Sequence, residues 1–204
     1  MFEDFVHYGD DLERIKATAE RLGFSKLNIV AGAKDIEGIT KMTEGLSTDL
    51  SLEIFIAVEN RKDADLARRK GLRTILIYSG DQDIRSAITE IRPDIITNLE
   101  YQKRDFMHHR SSGLNQVTAK LLAENGIAVG INIGFLKSTK YKGEVMGRMS
   151  QNIALCKKYG VSLKAFSLAR SWNGMSSPKD MISLLRVLGT DQKIAKKALQ
   201  KTSL

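Results

Sequence analysis

Apolar positions along this chain follow two alternating rhythms. Short runs rich in Val, Ile and Leu, nearly continuous in apolarity, predict buried strands near 2–7, 27–31, 52–58, 74–78, 94–97, 127–133 and 163–167. Between them, apolar residues recur every three or four positions and predict helices near 11–22, 36–44, 62–70, 83–91, 112–125, 141–159, 178–188 and 191–200. Local punctuation agrees with this division. Leu12, Ile15, Ala19 and Leu22 share one helical face, and Gly23 follows where a left-handed terminator is wanted. Asp81 or Asp83 is placed to cap the helix carrying Ile84, Ala87, Ile88 and Ile91, and Pro93 prevents its continuation.

Strands that are apolar throughout and separated by helices describe a parallel sheet, covered on both faces or closed on itself. About seven such units within 204 residues favour a compact, TIM-like α/β barrel over an open sheet. No Pro- or Gly-rich linker and no repeated sequence motif breaks the series, so one domain spanning residues 1–204 is expected.

Composition adds a core-sized hydrophobic fraction of 42% and excludes a disordered or fibrous chain. No apolar run approaches the roughly 18–20 residues that span a bilayer, and the N-terminus lacks the basic-then-apolar order of a signal peptide. A soluble, cytoplasmic protein with no membrane partner is the expectation. The single cysteine, Cys156, has no partner for a disulfide and falls on a helix, where it reads as a small buried hydrophobe. Charge changes the picture more. Residues 1–100 hold 14 Lys+Arg against 19 Asp+Glu, whereas residues 101–204 hold 18 against 5. The formal net charge of +8 therefore hides a polarised molecule whose basic half suits a polyanion.

Enzymatic chemistry finds little support. Neither a GxxxxGK[ST] loop nor a GxGxxG turn is present, and Gly130-Ile-Asn-Ile-Gly134 is read as lying inside a strand. Barrel metallohydrolases gather several His and carboxylate ligands, but this chain owns only His7, His108 and His109. Asp4 and His7 are the one pair left for a metal-dependent phosphoesterase, the main alternative reading. Lys26, Lys137 and Lys164 flank strands and are read as ordinary strand-end charges rather than Schiff-base nucleophiles. No catalytic residue and no metal ligand is assigned.

The stretch His108-His109-Arg110-Ser111-Ser112-Gly113-Leu114-Asn115-Gln116-Val117 is the most distinctive in the chain. Leu114, Val117, Leu121 and Leu122 define the buried stripe of a helix, with Ser112 expected as its N-cap and Arg110 flanking the helix start. Lys120 follows on the polar side of that helix. Downstream, Lys137, Lys140, Lys142 and Arg148 crowd one loop and helix start, while Arg170, Trp172 and Lys179 mark the next loop. On a barrel all three loops fall on the rim at the strand C-termini. The cations are expected to contact phosphates, and Trp172 to stack on an unpaired base. A scaffold that binds protein alone is a third reading.

The segment from Ser112 to Ile133, reading Ser-Gly-Leu-Asn-Gln-Val-Thr-Ala-Lys-Leu-Leu-Ala-Glu-Asn-Gly-Ile-Ala-Val-Gly-Ile-Asn-Ile, resembles a signature of the barrel-shaped protein subunits of archaeal ribonuclease P, which are related to a eukaryotic thirty-kilodalton subunit. The basic helix over 141–159 and Ser177-Pro178-Lys179-Asp180-Met181-Ile182 are similar to the same family, so the likeness covers most of 90–200. The chain departs from it at Gln116, where a histidine is common, and at Ser167-Leu168-Ala169-Arg170, where related chains often read Ser-Asp-Ala-His. The resemblance implies a barrel of the polymerase-and-histidinol-phosphatase type without its metal site. It also implies a subunit of a ribonucleoprotein that removes the 5′ leader of precursor tRNA, with catalysis and the magnesium requirement residing in the RNA. This chain would bind no cofactor, and its partners would be the ribonuclease P RNA and other protein subunits, above all a small ferredoxin-like one.

Overall fold

The computed structural model describes residues 1–45, 49–80, 83–101, 105 and 110–200, the side chains of 42–45 excepted. His108, His109 and Asp81 lie outside the described residues. Seven strands run in sequence order through one wholly parallel sheet: β1 (Glu3–His7), β2 (Lys26–Gly32), β3 (Ser51–Ala57), β4 (Arg73–Ile77), β5 (Ile95–Thr97), β6 (Ala128–Asn132) and β7 (Leu163–Phe166). Helices α1 (Leu12–Leu22), α2 (Ile36–Gly45), α3 (Arg61–Arg69) and α4 (Ile84–Ser86) connect the first five strands, α4 running on as a π-helical turn. Helices α5 (Gln116–Glu124), α6 (Ile133–Ser138), α7 (Lys142–Tyr159), α8 (Pro178–Val187) and α9 (Gln192–Ala198) complete the set. The expected TIM-like α/β barrel is the fold observed. None of the described helices is long and apolar enough to cross a membrane.

Strand side chains alternate between two faces. Phe5, Phe55 and Phe166 meet inside the bore with ring centroids 4.8 Å apart in each Phe5 pair, and Val30, Ile75, Ile95 and Ala128 fill the space around them. The opposite face carries Val6, Leu27, Ile29, Ile56, Leu76, Ile96, Val129 and Ile131 into the helical layer. One turn of the pleat below the aromatic plug, the bore is floored by charge. Lys164 pairs with Glu3, Lys26 with Glu53 and, at 3.7 Å, with Glu3; Arg73 then lies 3.6 Å from Glu53 and 3.7 Å from Asp94. Lys26 and Lys164 are thus buried interior residues, not the strand-end charges expected.

The barrel closes between β7 and β1 by side chains as much as by ladder. A parallel bridge joins Val6 to Ala169, with the His7 N–H donating to the Ala169 carbonyl at 2.9 Å. Below it, the fully buried Asp4 carboxylate accepts from the Ser167 N–H and the Ser167 hydroxyl, each at 2.7 Å. Burial pushes Asp4 up to about 7, against the lowering pull of these donors. The chain end covers the foot of the seam, where Glu3 N–H meets the Leu199 carbonyl at 2.8 Å and Lys164 reaches the Gln200 carbonyl at 2.7 Å.

Two local expectations change. The helix forecast from Ser112 starts at Gln116, and its N-cap is Asn115, whose Oδ1 accepts from Val117 and Thr118 N–H at 2.9 Å while Thr118 Oγ1 accepts from Asn115 N–H at 3.0 Å. Gly113 explains the delay. Its φ of 83° is left-handed, and a Cβ there would collide with the Leu99 carbonyl oxygen, so the chain turns before it coils. Leu114 and Leu122 stay buried, but Val117 is 52% exposed instead of forming part of the stripe. The second change is at β6, which ends at Asn132. Its side chain caps the Phe135 N–H at 3.0 Å, so Gly130-Ile-Asn-Ile-Gly134 straddles a strand end and the start of α6, a helix not expected from the pattern.

Replacing Lys164 by Ala leaves Glu3 charged and half-satisfied under the aromatic plug, and should cost about 3–5 kcal/mol in urea unfolding. Ser167→Ala, which removes one Asp4 donor, should cost about 1–3 kcal/mol in the same measurement.

Candidate nucleic-acid interface

Strands β5, β6 and β7 are neighbours, so the segments that follow them form one arc of the rim. That arc carries exposed Lys137, Lys140, Lys142, Arg170, Trp172 and Lys179, as the sequence led us to expect. Lys137 ties the β6 and β7 segments together by donating to the carbonyls of Gly174 and Met175 at 3.2 and 3.1 Å. Trp172 sits in a 3-10 turn, 45% exposed, with its backbone N–H on Asp11 at 2.9 Å. Lys179 lies in the first turn of α8, capped by Ser177 through the Asp180 N–H at 3.2 Å.

Three predicted contacts have partners within the protein. Arg148 is only 6% exposed, its Nε 2.7 Å from Asp105 and its Nη1 3.2 Å from the Glu100 carbonyl, so it braces the loop after β5. Arg110 is exposed but lies flat on Gly147 of α7, with Nη1 3.4 Å from its carbonyl; any side chain at 147 would displace the guanidinium. Lys120 is on the outer wall, its Nζ 5.9 Å over the ring of Tyr159 at the far end of α7 from the rim. Beside them, Asn152 donates to Glu100 at 2.9 Å and to the Ser112 carbonyl at 2.8 Å. The opening of the signature segment is therefore held from α7.

Sequence reading missed Arg14 and Arg21. Both are exposed on α1 and line, with Trp172, an open cleft of about 540 Å³. Their spacing places them on one helical face, but only closure of β7 onto β1 sets that face beside residue 172. Tyr101 and Tyr141, exposed near Lys140, also escaped notice.

At the mouth of the bore, His7, Asn98, Asn132, Lys137, Arg170 and Asn173 line a cavity of about 590 Å³. Burial first, and the Arg170 charge second, hold the His7 imidazole below its ordinary value. The residues that line this cavity do not fit a metal ion. Among the described residues no carboxylate lines the cavity, two cations do, and no cluster of three or more His, Cys, Asp or Glu occurs. Asp4 and His7, three apart on one strand, point to opposite faces and cannot share a metal.

The fold and this mouth define a TIM-like β/α barrel whose described rim carries cations and no cluster of metal ligands. Residues 56–204 match the family model described as RNase P subunit p30, and the chain belongs to that family. It is similar to ribonuclease P protein component 3 of Methanosarcina acetivorans, 32% identical over 134 residues that span 64% of this chain and 53% of that one. Its likeness to the same component of Methanosarcina mazei is 26% over 210 residues, 97% of this chain and 85% of the relative. A subunit in the cryo-EM structure of archaeal ribonuclease P with mature tRNA superposes with a TM-score of 0.70 at 17% identity, over 96% of this chain and 86% of that one. Histidinol phosphate phosphatase of Lactococcus lactis, complexed with zinc, L-histidinol and phosphate, shares the fold at a TM-score of 0.60 and 10% identity, covering 93% and 94%.

Arg148→Ala should destabilise the protein by about 3–5 kcal/mol in urea, while Lys140→Ala on the exposed arc changes it by less than about 0.5 kcal/mol. Glu100 is fully buried, and burial pushes its carboxyl from 4.5 up to about 7, against the lowering pull of the Asn152 hydrogen bond. The folded state thus binds this proton more tightly than the unfolded one, so the stabilisation is complete below pH 4.5 and lost as pH rises through about 7. Glu100→Gln should shrink that loss by about 1–3 kcal/mol, read from denaturant midpoints across the same interval.

Proposed function

We propose that the chain acts as an RNA-binding subunit of ribonuclease P, the ribonucleoprotein that removes the 5′ leader of precursor tRNA. The reading rests on family membership, and one observation gives it a physical basis: the segment after β7, with exposed Arg170, Trp172 and Lys179, is tied through Lys137 to the segment after β6, which carries exposed Lys140 and Lys142. The lysines and arginine neutralise phosphates and release counterions, and the indole offers a flat face to an unpaired base. Binding of this kind stabilises folded catalytic RNA by screening its own phosphate repulsion. Chemistry and the magnesium it needs stay with the RNA; this chain contributes neither a nucleophile nor a cofactor. A small ferredoxin-like protein subunit is the proposed protein partner, and the cytoplasm the proposed location.

Substituting Lys140, Lys142 and Lys179 together by Glu keeps the fold, because all three are exposed. It should flatten the log–log salt dependence of binding to the ribonuclease P RNA by about 2, and precursor-tRNA cleavage by the reconstituted complex should then demand more magnesium. Unchanged affinity and salt slope in the folded variant would overturn the assignment of this arc. Trp172→Ala should weaken binding by about 1–3 kcal/mol without altering the slope.

A further inference from the structure

The cavity at the barrel mouth has a hydrogen-bonding polarity that can be worked out from one backbone donor. The Phe135 N–H can only meet an acceptor, so the Asn132 atom 3.0 Å from it is the amide oxygen. The other end of Asn132 is then its NH2 group, which lies 2.8 Å from Asn98 and must meet the Asn98 oxygen there. Both amide oxygens are therefore engaged by the protein, and the donor capacity left over is the NH2 of Asn98 and one N–H of Asn132. Lys137 and Arg170 line the same cavity, and among the described residues no carboxylate does. Of the three described residues other than Gly with positive φ, two line it: Asn98 at 62° and Leu168 at 44°. Backbone held in this region by its surroundings gathers at ligand sites. The volume of about 590 Å³ suits a small ligand and lies at the strand C-termini, where barrels of this kind bind theirs.

We infer that the barrel mouth binds a phosphoryl group carried by a single nucleotide, with Arg170 and Lys137 neutralising it and the Asn98 and Asn132 amides donating to its oxygens. The group can come from a free mononucleotide or from the phosphorylated end of an RNA strand; the recognising chemistry is the same. Because the site lies inside the mouth, its occupancy does not depend on the outer arc of Lys140, Lys142 and Lys179.

The test uses the full chain and the His7 ring as reporter, by side-chain proton–nitrogen NMR during titration with inorganic phosphate, adenosine 5′-monophosphate, adenosine, and a trinucleotide with and without its 5′ phosphate. Phosphate and the monophosphate should move the His7 resonances saturably while adenosine does not. A phosphorylated trinucleotide that binds more tightly than the monophosphate, with its dephosphorylated form silent, identifies an RNA end as the source; the reverse order identifies the free nucleotide. Arg170→Glu, at an exposed position, should weaken phosphate binding about tenfold or more, as loss of a charge-assisted contact requires. Asn98→Gly, which accepts the left-handed backbone and removes the amide, should weaken it several-fold with the fold intact. A His7 signal that ignores phosphate and monophosphate at millimolar concentration, or an Arg170→Glu variant that binds as well as the parent, overturns the inference. The Lys140, Lys142 and Lys179 triple variant, whose lysines lie outside the mouth, keeps the two readings apart: phosphate should still move its His7 resonances whether or not its binding to the RNA subunit is lost.

Discussion

Seven parallel strands can close a barrel only if the first and last are joined, and here that join is the weakest ladder and the most heavily reinforced by side chains. One backbone bridge, Val6 to Ala169, is supplemented by the Asp4–Ser167 pair of hydrogen bonds and the buried Lys164–Glu3 ion pair. The second of these continues into a chain of alternating charge through Lys26, Glu53, Arg73 and Asp94, so each strand from β7 to β4 contributes one member. Charges buried this way cost several kcal/mol each to desolvate, and neighbours of opposite sign on adjacent strands offset that cost. They also fix register, because a one-residue slip would turn a charge into the apolar helical layer.

Closure has consequences at the other end of the strands. Drawing β7 onto β1 carries the residues after Phe166 over the N-terminus of α1, where Trp172 hydrogen-bonds Asp11 and shares a cleft with Arg14 and Arg21. It also makes Ser167, Ala169 and Arg170 part of the same mouth as His7. The acidic N-terminal half and the basic C-terminal half thus meet at one seam. The rim arc there includes arginines that belong, by sequence, to the acidic half.

Strand and helix order was legible because burial on both faces leaves near-continuous apolar runs, and all seven strands fall within two residues of their expected ends. What the pattern could not resolve was local competition for hydrogen bonds. Ser112 and Asn115 are both good caps; Gly113 decides between them by turning left-handed against Leu99, a contact more than ten residues away. At β6 the apolar run continues through Ile133, and only the Asn132 side chain, capping Phe135, marks the switch from strand to helix. The exposed lysines of the rim were legible as a cluster. Arg148 was not distinguishable from them, because its partners Asp105 and Glu100 precede it by 43 and 48 residues and meet it only in the fold.

The same barrel holds metals in hydrolases and cations here, and the difference comes down to which groups end at the strand C-termini. A metal site needs lone pairs converging on one point. In this chain Asp4 is turned out of the bore and spent on Ser167, the Asn98 and Asn132 oxygens are spent on protein donors, and Arg170 and Lys137 bring positive charge to the remaining space. The sum is a mouth that repels cations and suits phosphate oxygens, continuous in sign with the lysines outside it. Mouth and rim therefore share one sign of charge, as the proposed RNA-binding arc requires.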